Sequence, residues 1–286
     1  MAVRDARAGG TITIGGDLTV NRMGFGAMRI TGPGILGEPS DPEEARAVLR
    51  RAVELGVDFI DTADAYGPNV SERLIAEALH PYPEGLVIAT KGGLTRRGRG
   101  PWPADGRPEH LRSACDGSLA RLRLERIDVY QFHAPDPRVP YEDSIGALAE
   151  LQREGKIRHI GVSNVDLDQL RRAQAIVPVV SVQNHYHVAD RGSEDVLDAC
   201  AAEGLAYLPW RPLNGGSLTG PRSKLSGAAE RHGVTPGQIA LAWLLARSTA
   251  MLPIPGTSSV AHLEENVAAA GIALSPDEVE GIASAA

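Results

Sequence analysis

The sequence predicts a single parallel (β/α)8 barrel of the TIM type over residues 1–286, with an N-terminal β-hairpin closing its bottom. Three observations carry this. Eight short apolar segments alternate with helical patterns, the rhythm of parallel strands joined by crossovers. No linker-like Ser/Gly/Pro tract divides the chain, and no sequence repeat is visible beyond that rhythm. An open doubly wound sheet would carry Gly-x-Gly-x-x-Gly after its first strand, whereas Gly24-Phe25-Gly26 leads into Ala27-Met28-Arg29 and lacks the third glycine.

The hairpin comes first. Residues 11–20 read TITIGGDLTV, two β-branched runs around Gly15-Gly16, a pair suited to a tight two-residue turn. The eight strands follow at 24–28, 57–61, 86–91, 127–133, 159–164, 180–184, 205–210 and 251–255. Apolar residues at helical spacing predict helices at 43–55, 71–79, 110–122, 144–154, 167–175 and 194–202. Two more start at Thr235-Pro236-Gly237-Gln238 and Ser275-Pro276-Asp277-Glu278, capping boxes with proline at the first helical position.

Bulk properties bound the function. Hydrophobic residues at 43% and charged residues at 23% give an ordinary globular balance. A net charge of −7 argues against nucleic acid or an anionic membrane as partner. Arg96, Arg97 and Arg99, with Lys91 just before them, are the local exception, and composition alone reads them as a solvated loop. Cys115 and Cys200 are far apart and fit reduced, buried thiols. No signal-type apolar core opens the chain, and the longest apolar stretch, 239–246, is too short to span a bilayer. A cytoplasmic protein acting on a small molecule is expected; its oligomeric state is not legible.

In such a barrel, function lies at the carboxyl ends of the strands, and alternation turns one parity inward. Val57, Phe59 and Asp61 share a face; so do Val87, Ala89 and Lys91, and Ile127, Val129, Gln131 and His133. Each inward row is mainly apolar and ends in an ionisable group. Singly, such an Asp caps a helix, such a Lys snorkels to water, such a His is a bonded core residue and Tyr66 is a packing aromatic. Three neighbouring strands ending alike point to a site. There a Lys–Asp pair stabilises both charges, and the ammonium is expected to lower the Tyr66 phenol toward working pH, as a general acid requires. His133 would then orient or polarise a carbonyl oxygen.

The sequence resembles the aldo-keto reductase superfamily over nearly its whole length. GVDFIDTADAYG (56–67) is very similar to the signature around the family's Asp and Tyr. The lysine of IATKGG (88–93) and the histidine of VYQFHAPD (129–136) stand where the other two tetrad members belong. GVSN (161–164), VQNHY (182–186), WRPL (210–213) and IPGTSSVAHLEEN (254–266) match later landmarks in order. The resemblance implies a nicotinamide cofactor across the barrel mouth and direct hydride transfer to a carbonyl carbon. Tyr66 would be the proton donor, tuned by Lys91 and Asp61, with His133 orienting substrate. Ser163, Asn164 and Gln183 would bond the carboxamide, and Trp210 would take the place of a ring-stacking tyrosine. Arg211 and Pro212 fall on the cofactor side, and Leu213, Gly215 and Ser217 near the pyrophosphate. Thr257 and Ser258 open the last barrel helix, whose N–H groups attract phosphate. Glu265 and Asn266 match adenine-side positions, and Gly26, Ala27 and Met28 would line the floor.

Two departures matter. Many members hold the adenosine 2′-phosphate with a lysine and an arginine where this chain has Gly256 and His262, so NADPH is expected first with NADH not excluded. The chain also stops at Ala286, so the family's long C-terminal loop is expected to be absent. A wider pocket would then form from Met28, Tyr66, Trp102, His133 and Arg211. His185 and His187 share a strand face, but without a third ligand nearby in sequence no metal is expected. Two other readings use the same residues: a Schiff-base lyase or aldolase on Lys91, and a non-catalytic cofactor-binding redox sensor.

Overall fold

The computed structural model describes residues 5–220 and 223–285. β1 (Thr11–Ile14) and β2 (Leu18–Asn21) form the hairpin. Seven strands then make one parallel curled sheet in sequence order: β3 (Phe25–Gly26), β4 (Phe59–Asp61), β5 (Val87–Gly92), β6 (Ile127–Phe132), β7 (Ile157–Ser163), β8 (Val179–Gln183) and β9 (Ala206–Tyr207). α1 (Pro42–Glu54), α2 (Val70–Leu79), α3 (Pro108–Leu122), α4 (Tyr141–Arg153), α5 (Leu167–Gln174) and α6 (Glu194–Glu203) are the crossovers. α7 (Ser226–His232), α8 (Pro236–Arg247), α9 (Val260–Ala268) and α10 (Pro276–Ala285) complete the chain. This is the (β/α)8 barrel expected.

The eighth strand position differs from expectation. Residues 251–255 form no ladder, because Pro253 and Pro255 have no N–H to donate. The segment still bridges the sheet's two edges. Leu252 N–H donates to the Tyr207 carbonyl at 2.9 Å, and Gly24 N–H donates to the Pro253 carbonyl at 2.9 Å. Proline at 209 likewise cuts the segment at 205–210 to the two residues of β9. α7 was not legible in the sequence, being one short run without an apolar period.

The hairpin turn holds three residues rather than two. Ile14 pairs with Leu18, and both Gly15 and Gly16 take left-handed backbone. A Cβ on Gly15 would lie 2.4 Å from the His159 ring, so the turn sits hard against the start of β7. Asp17 accepts from Arg158 at 2.8 Å and lies 2.6 Å from His159 Nε2. Those residues stand at the amino end of β7, which places the hairpin at the bottom.

Alternation sorts the core into two layers. Phe59, Val87, Ala89, Val129, Ala206, Leu252 and Ile254 pack inside the barrel with Ile14, Leu18 and Val20 of the hairpin. Ile60, Ile88, Tyr130, Phe132 and Val162 face the helices. Val57 and Ile127, expected inside by parity, belong to this outer layer. Cys115 and Cys200 are free and buried, and burial pushes each thiol up to about 12. Both capping boxes form: Thr235 with Gln238, and Ser275 with Glu278. No helix is long and apolar enough to cross a membrane, among the described residues.

Candidate active site

The inward rows of β4, β5 and β6 end together. Lys91 Nζ donates to Asp61 Oδ2 at 2.7 Å, to the Thr62 carbonyl at 2.8 Å and to the Tyr66 hydroxyl at 3.3 Å. Asp61 Oδ1 accepts from Gln131 at 3.0 Å and from Gln183 at 2.8 Å. The carboxylate is thus held from three strands. Tyr66 reaches the cluster because a turn follows β4, with Tyr66 N–H on the Ala63 carbonyl. Behind that turn Thr62 donates to Ser71, which donates to the Ala27 carbonyl and ties the turn to the end of β3.

His133 lies just past β6, its N–H on the Gly92 carbonyl. Its ring stands edge-on to Tyr66 at 5.9 Å, and Trp102 stands edge-on to both, 6.0 Å from Tyr66 and 6.4 Å from His133. Three rings form one wall beside the buried ammonium.

The electrostatics correct one expectation. Burial holds the Tyr66 phenol above its usual range; Lys91 pulls it down, and the pull is smaller than the push. The phenol therefore keeps its proton. Burial opposes the charge on Lys91, but Asp61 and Tyr66 outweigh it, and the ammonium persists above its ordinary range. Burial and the Lys91 charge keep His133 well below its ordinary value, hence neutral.

Other expected cofactor residues are placed as follows. Gly26 pairs with Asp61 in the sheet, next to the cluster, with Ala27 buried and Met28 partly exposed. Ser163 pairs with Gln183, and Gln183 uses its amide nitrogen on Asp61 and Gln131. Asn164 is also internally engaged, donating to the His133 carbonyl at 2.9 Å and accepting from Trp210 Nε1 at 3.0 Å. Arg211 lies over the Trp210 ring, 5.9 Å from its centre. Glu265 accepts from Thr235 at 2.6 Å, and its neighbour Asn266 is buried. His262 is exposed.

Whether a dinucleotide fits is tested by the backbone. A Cβ on Gly26 would meet the Ile254 carbonyl at 2.5 Å, and one on Gly256 would meet the Gly26 carbonyl at 2.4 Å. The two segments touch there, leaving a floor without side chains beside Asp61. Between Arg211 and Gly216 four residues, Arg211, Asn214, Gly215 and Gly216, are left-handed, and Gly215 has open space where a Cβ would be. The N–H groups of Asn214, Gly216 and Ser217 are spent on the carbonyls of Arg211, Leu213 and Asn214, so the segment would meet a phosphate at the open, side-chain-free face of Gly215 rather than through a ring of free N–H groups. The residues fit the group.

Sequence reasoning missed three neighbours. Arg29 Cγ lies 3.7 Å from where a Gly256 Cβ would be. Glu44 accepts the Val260 N–H at 3.3 Å, occupying the start of α9 with a carboxylate. Asp64 sits two residues before Tyr66 with one oxygen unpartnered, and burial beside Glu72 pushes it up to about 8. The GVDFIDTADAYG stretch held that signal, its third aspartate, three residues after Asp61. Asp190 is also a third group beside His185 and His187, correcting the expectation that none was near. It lies 3.1 Å from His185 Nδ1. His187 accepts the Ala189 N–H at Nδ1, and His187 and Asp190 exchange backbone bonds, so the trio reads as a bonded turn.

Comparison with known proteins agrees with this geometry. An uncharacterized oxidoreductase of Schizosaccharomyces pombe is 50% identical over 273 residues, covering 96% of this chain and 89% of the relative. Pyridoxine 4-dehydrogenase of Escherichia coli is 45% identical, covering 93% of this chain and 95% of its own. The crystal structure of an aldo/keto reductase from Klebsiella pneumoniae in complex with NADP and acetate superposes with a TM-score of 0.82 at 28% identity, covering 95% and 93% of the two chains. The model of the aldo/keto reductase family matches residues 22–286, and the chain belongs to that family of oxidoreductases.

Proposed function

We propose that the protein reduces aldehydes or ketones to alcohols with a nicotinamide cofactor, NADPH before NADH, using Tyr66 as proton donor. The observation that carries this is the buried Lys91 ammonium bonded at once to Asp61, Thr62 and Tyr66. When bound, the nicotinamide supplies hydride to the carbonyl carbon. Everything else falls to the chain. Lys91 donates to the phenol oxygen, so the phenol's own proton is left to point at substrate. Neutral His133 offers a ring N–H to the carbonyl oxygen as charge grows there. After transfer, the ammonium stabilises the phenolate until it is reprotonated. Gly26, Ala27, Met28, Ser163, Asn164, Gln183, Trp210 and the 211–217 segment would hold the cofactor, with Thr257, Ser258, His262, Glu265 and Asn266 toward its adenine end.

A relative crystallised with NADP supports the cofactor class. Glu44 at the start of α9 weighs against a 2′-phosphate, and the Arg29 stem over Gly256 weighs for it. The aromatic wall suits a flat substrate, and the relative named pyridoxine 4-dehydrogenase makes a heteroaromatic alcohol–aldehyde couple the first to try. Two buried, unpaired thiols suit the reducing cytoplasm.

The test is consumption of NADPH and of NADH against a panel of aldehydes, ketones and quinones, pyridoxal among them. Aldehyde-dependent oxidation of NADPH is expected. Equal or better use of NADH overturns the cofactor preference, and no carbonyl-dependent consumption overturns the activity. The lyase reading is disfavoured because an imine-forming lysine needs a neutral amine, while Asp61 keeps Lys91 charged.

A pH dependence follows. With the phenol held above its ordinary value of 10.0, the acid is present throughout neutral pH. Carbonyl reduction should not fall from about pH 6 to about pH 9 through loss of this acid. Alcohol oxidation, which needs the phenolate, should climb across the same range. Initial-rate profiles in both directions check it; a plateau in oxidation near neutrality would mean a lowered phenol.

A further inference from the structure

Of the arginine run at 96–99, Arg97 and Arg99 are exposed as a solvated loop would have them, and Arg96 is not. The Arg96 guanidinium lies 4.4 Å above the Trp102 ring centre, and its Nη2 donates to the Gly34 carbonyl at 2.6 Å. Its Nε is buried without a hydrogen-bond partner. That single bond goes to a neutral carbonyl, so among the described residues no carboxylate neutralises the charge. The same indole stands edge-on to Tyr66 and His133. A cation with a donor to spare therefore sits one indole away from the phenol and imidazole that would flank a carbonyl oxygen.

A buried N–H without an acceptor is unfavourable, and a ligand oxygen relieves it. The guanidinium fork matches carboxylate and phosphate oxygens, and stacking on a ring fixes its plane in advance. The adjacent cavity of about 490 Å3 is a poorer place for the anion. Of the three arginines on its wall, Arg107 and Arg138 are already paired with Asp105 and Asp136, and Arg97 is exposed with no ring among the described residues to fix its plane. We propose that Arg96 selects carbonyl substrates carrying a carboxylate or phosphate at the end remote from the C=O, with Trp102 as the platform between the two ends. This rests on the reductase reading of the same site.

The test compares three aldehydes with NADPH: 4-carboxybenzaldehyde, 4-formylphenyl phosphate and 4-methylbenzaldehyde. In the unaltered protein at least one anionic aldehyde should exceed the methyl compound in kcat/KM by about tenfold or more, with the gain in KM and shrinking as salt rises. Which anion gains tells carboxylate from phosphate. Arg96→Gln should cut that preference by about 10- to 100-fold, the range of a charge-assisted hydrogen bond, and Arg96→Lys should keep part of it. No anionic preference in the unaltered protein overturns the inference alone. So does an Arg96→Gln variant in which all three aldehydes fall in parallel, since that marks a loop-holding role through Gly34. If none of the three is reduced, the reductase reading fails and this inference fails with it.

Discussion

Replacing Tyr66 with phenylalanine is expected to lower aldehyde reduction by roughly 10²–10⁴-fold, the contribution of a positioned general acid. The ring stays, so its edge contacts to Trp102 and His133 survive, and only the hydroxyl that Lys91 contacts is lost. Cofactor affinity, read by fluorescence titration, should hardly change, because the residues proposed for the dinucleotide lie on other segments. Turnover of the variant equal to that of the unaltered protein would favour the sensor reading, which has no need of an acid.

The second large effect is on stability. Lys91→Met should destabilise the fold by about 3–5 kcal/mol, the cost of leaving a buried charge without its partner. The Lys91 side chain is 0% exposed and that of Asp61 3%, so water cannot replace the ammonium. Gln131 and Gln183 still donate to Asp61 but bring no charge. Urea denaturation measures the loss, and Asp61→Asn placed with Lys91→Met should recover most of it. A loss below about 1 kcal/mol for the single variant would mean that the pair is not desolvated. The sign with pH is fixed by the raised Lys91 value. Its stabilisation is complete below the unfolded value of 10.5 and is lost as pH rises through the higher folded one.

Much of this was legible because each signal was local or periodic. Inward parity alone put Asp61, Lys91 and His133 at neighbouring strand ends, and hydrogen bonds of 2.7 and 2.8 Å now join that lysine to Asp61 and the Thr62 carbonyl. The hairpin was readable from its two glycines, though not its third turn residue, since register depends on where Asp17 finds Arg158 and His159. The shortfall of strand at 251–255 was written in two prolines but was outweighed by apolar content. The phenol's shift went the other way from expectation because composition reveals a nearby charge and not how dry the surroundings are. Arg96 was hidden for the opposite reason: a run of arginines reads as wet, and only the fold brings Trp102 beneath the first of them.

The stopper at the foot of the barrel has a consequence for traffic. With Ile14, Leu18 and Val20 packed onto Phe59, Val87 and Val129, the barrel is solid from its foot upward and nothing can be reached from below. The cluster of Asp61, Lys91 and Tyr66 is therefore approached from the opposite face alone, and on the proposed reading cofactor and carbonyl compound would have to share that entrance.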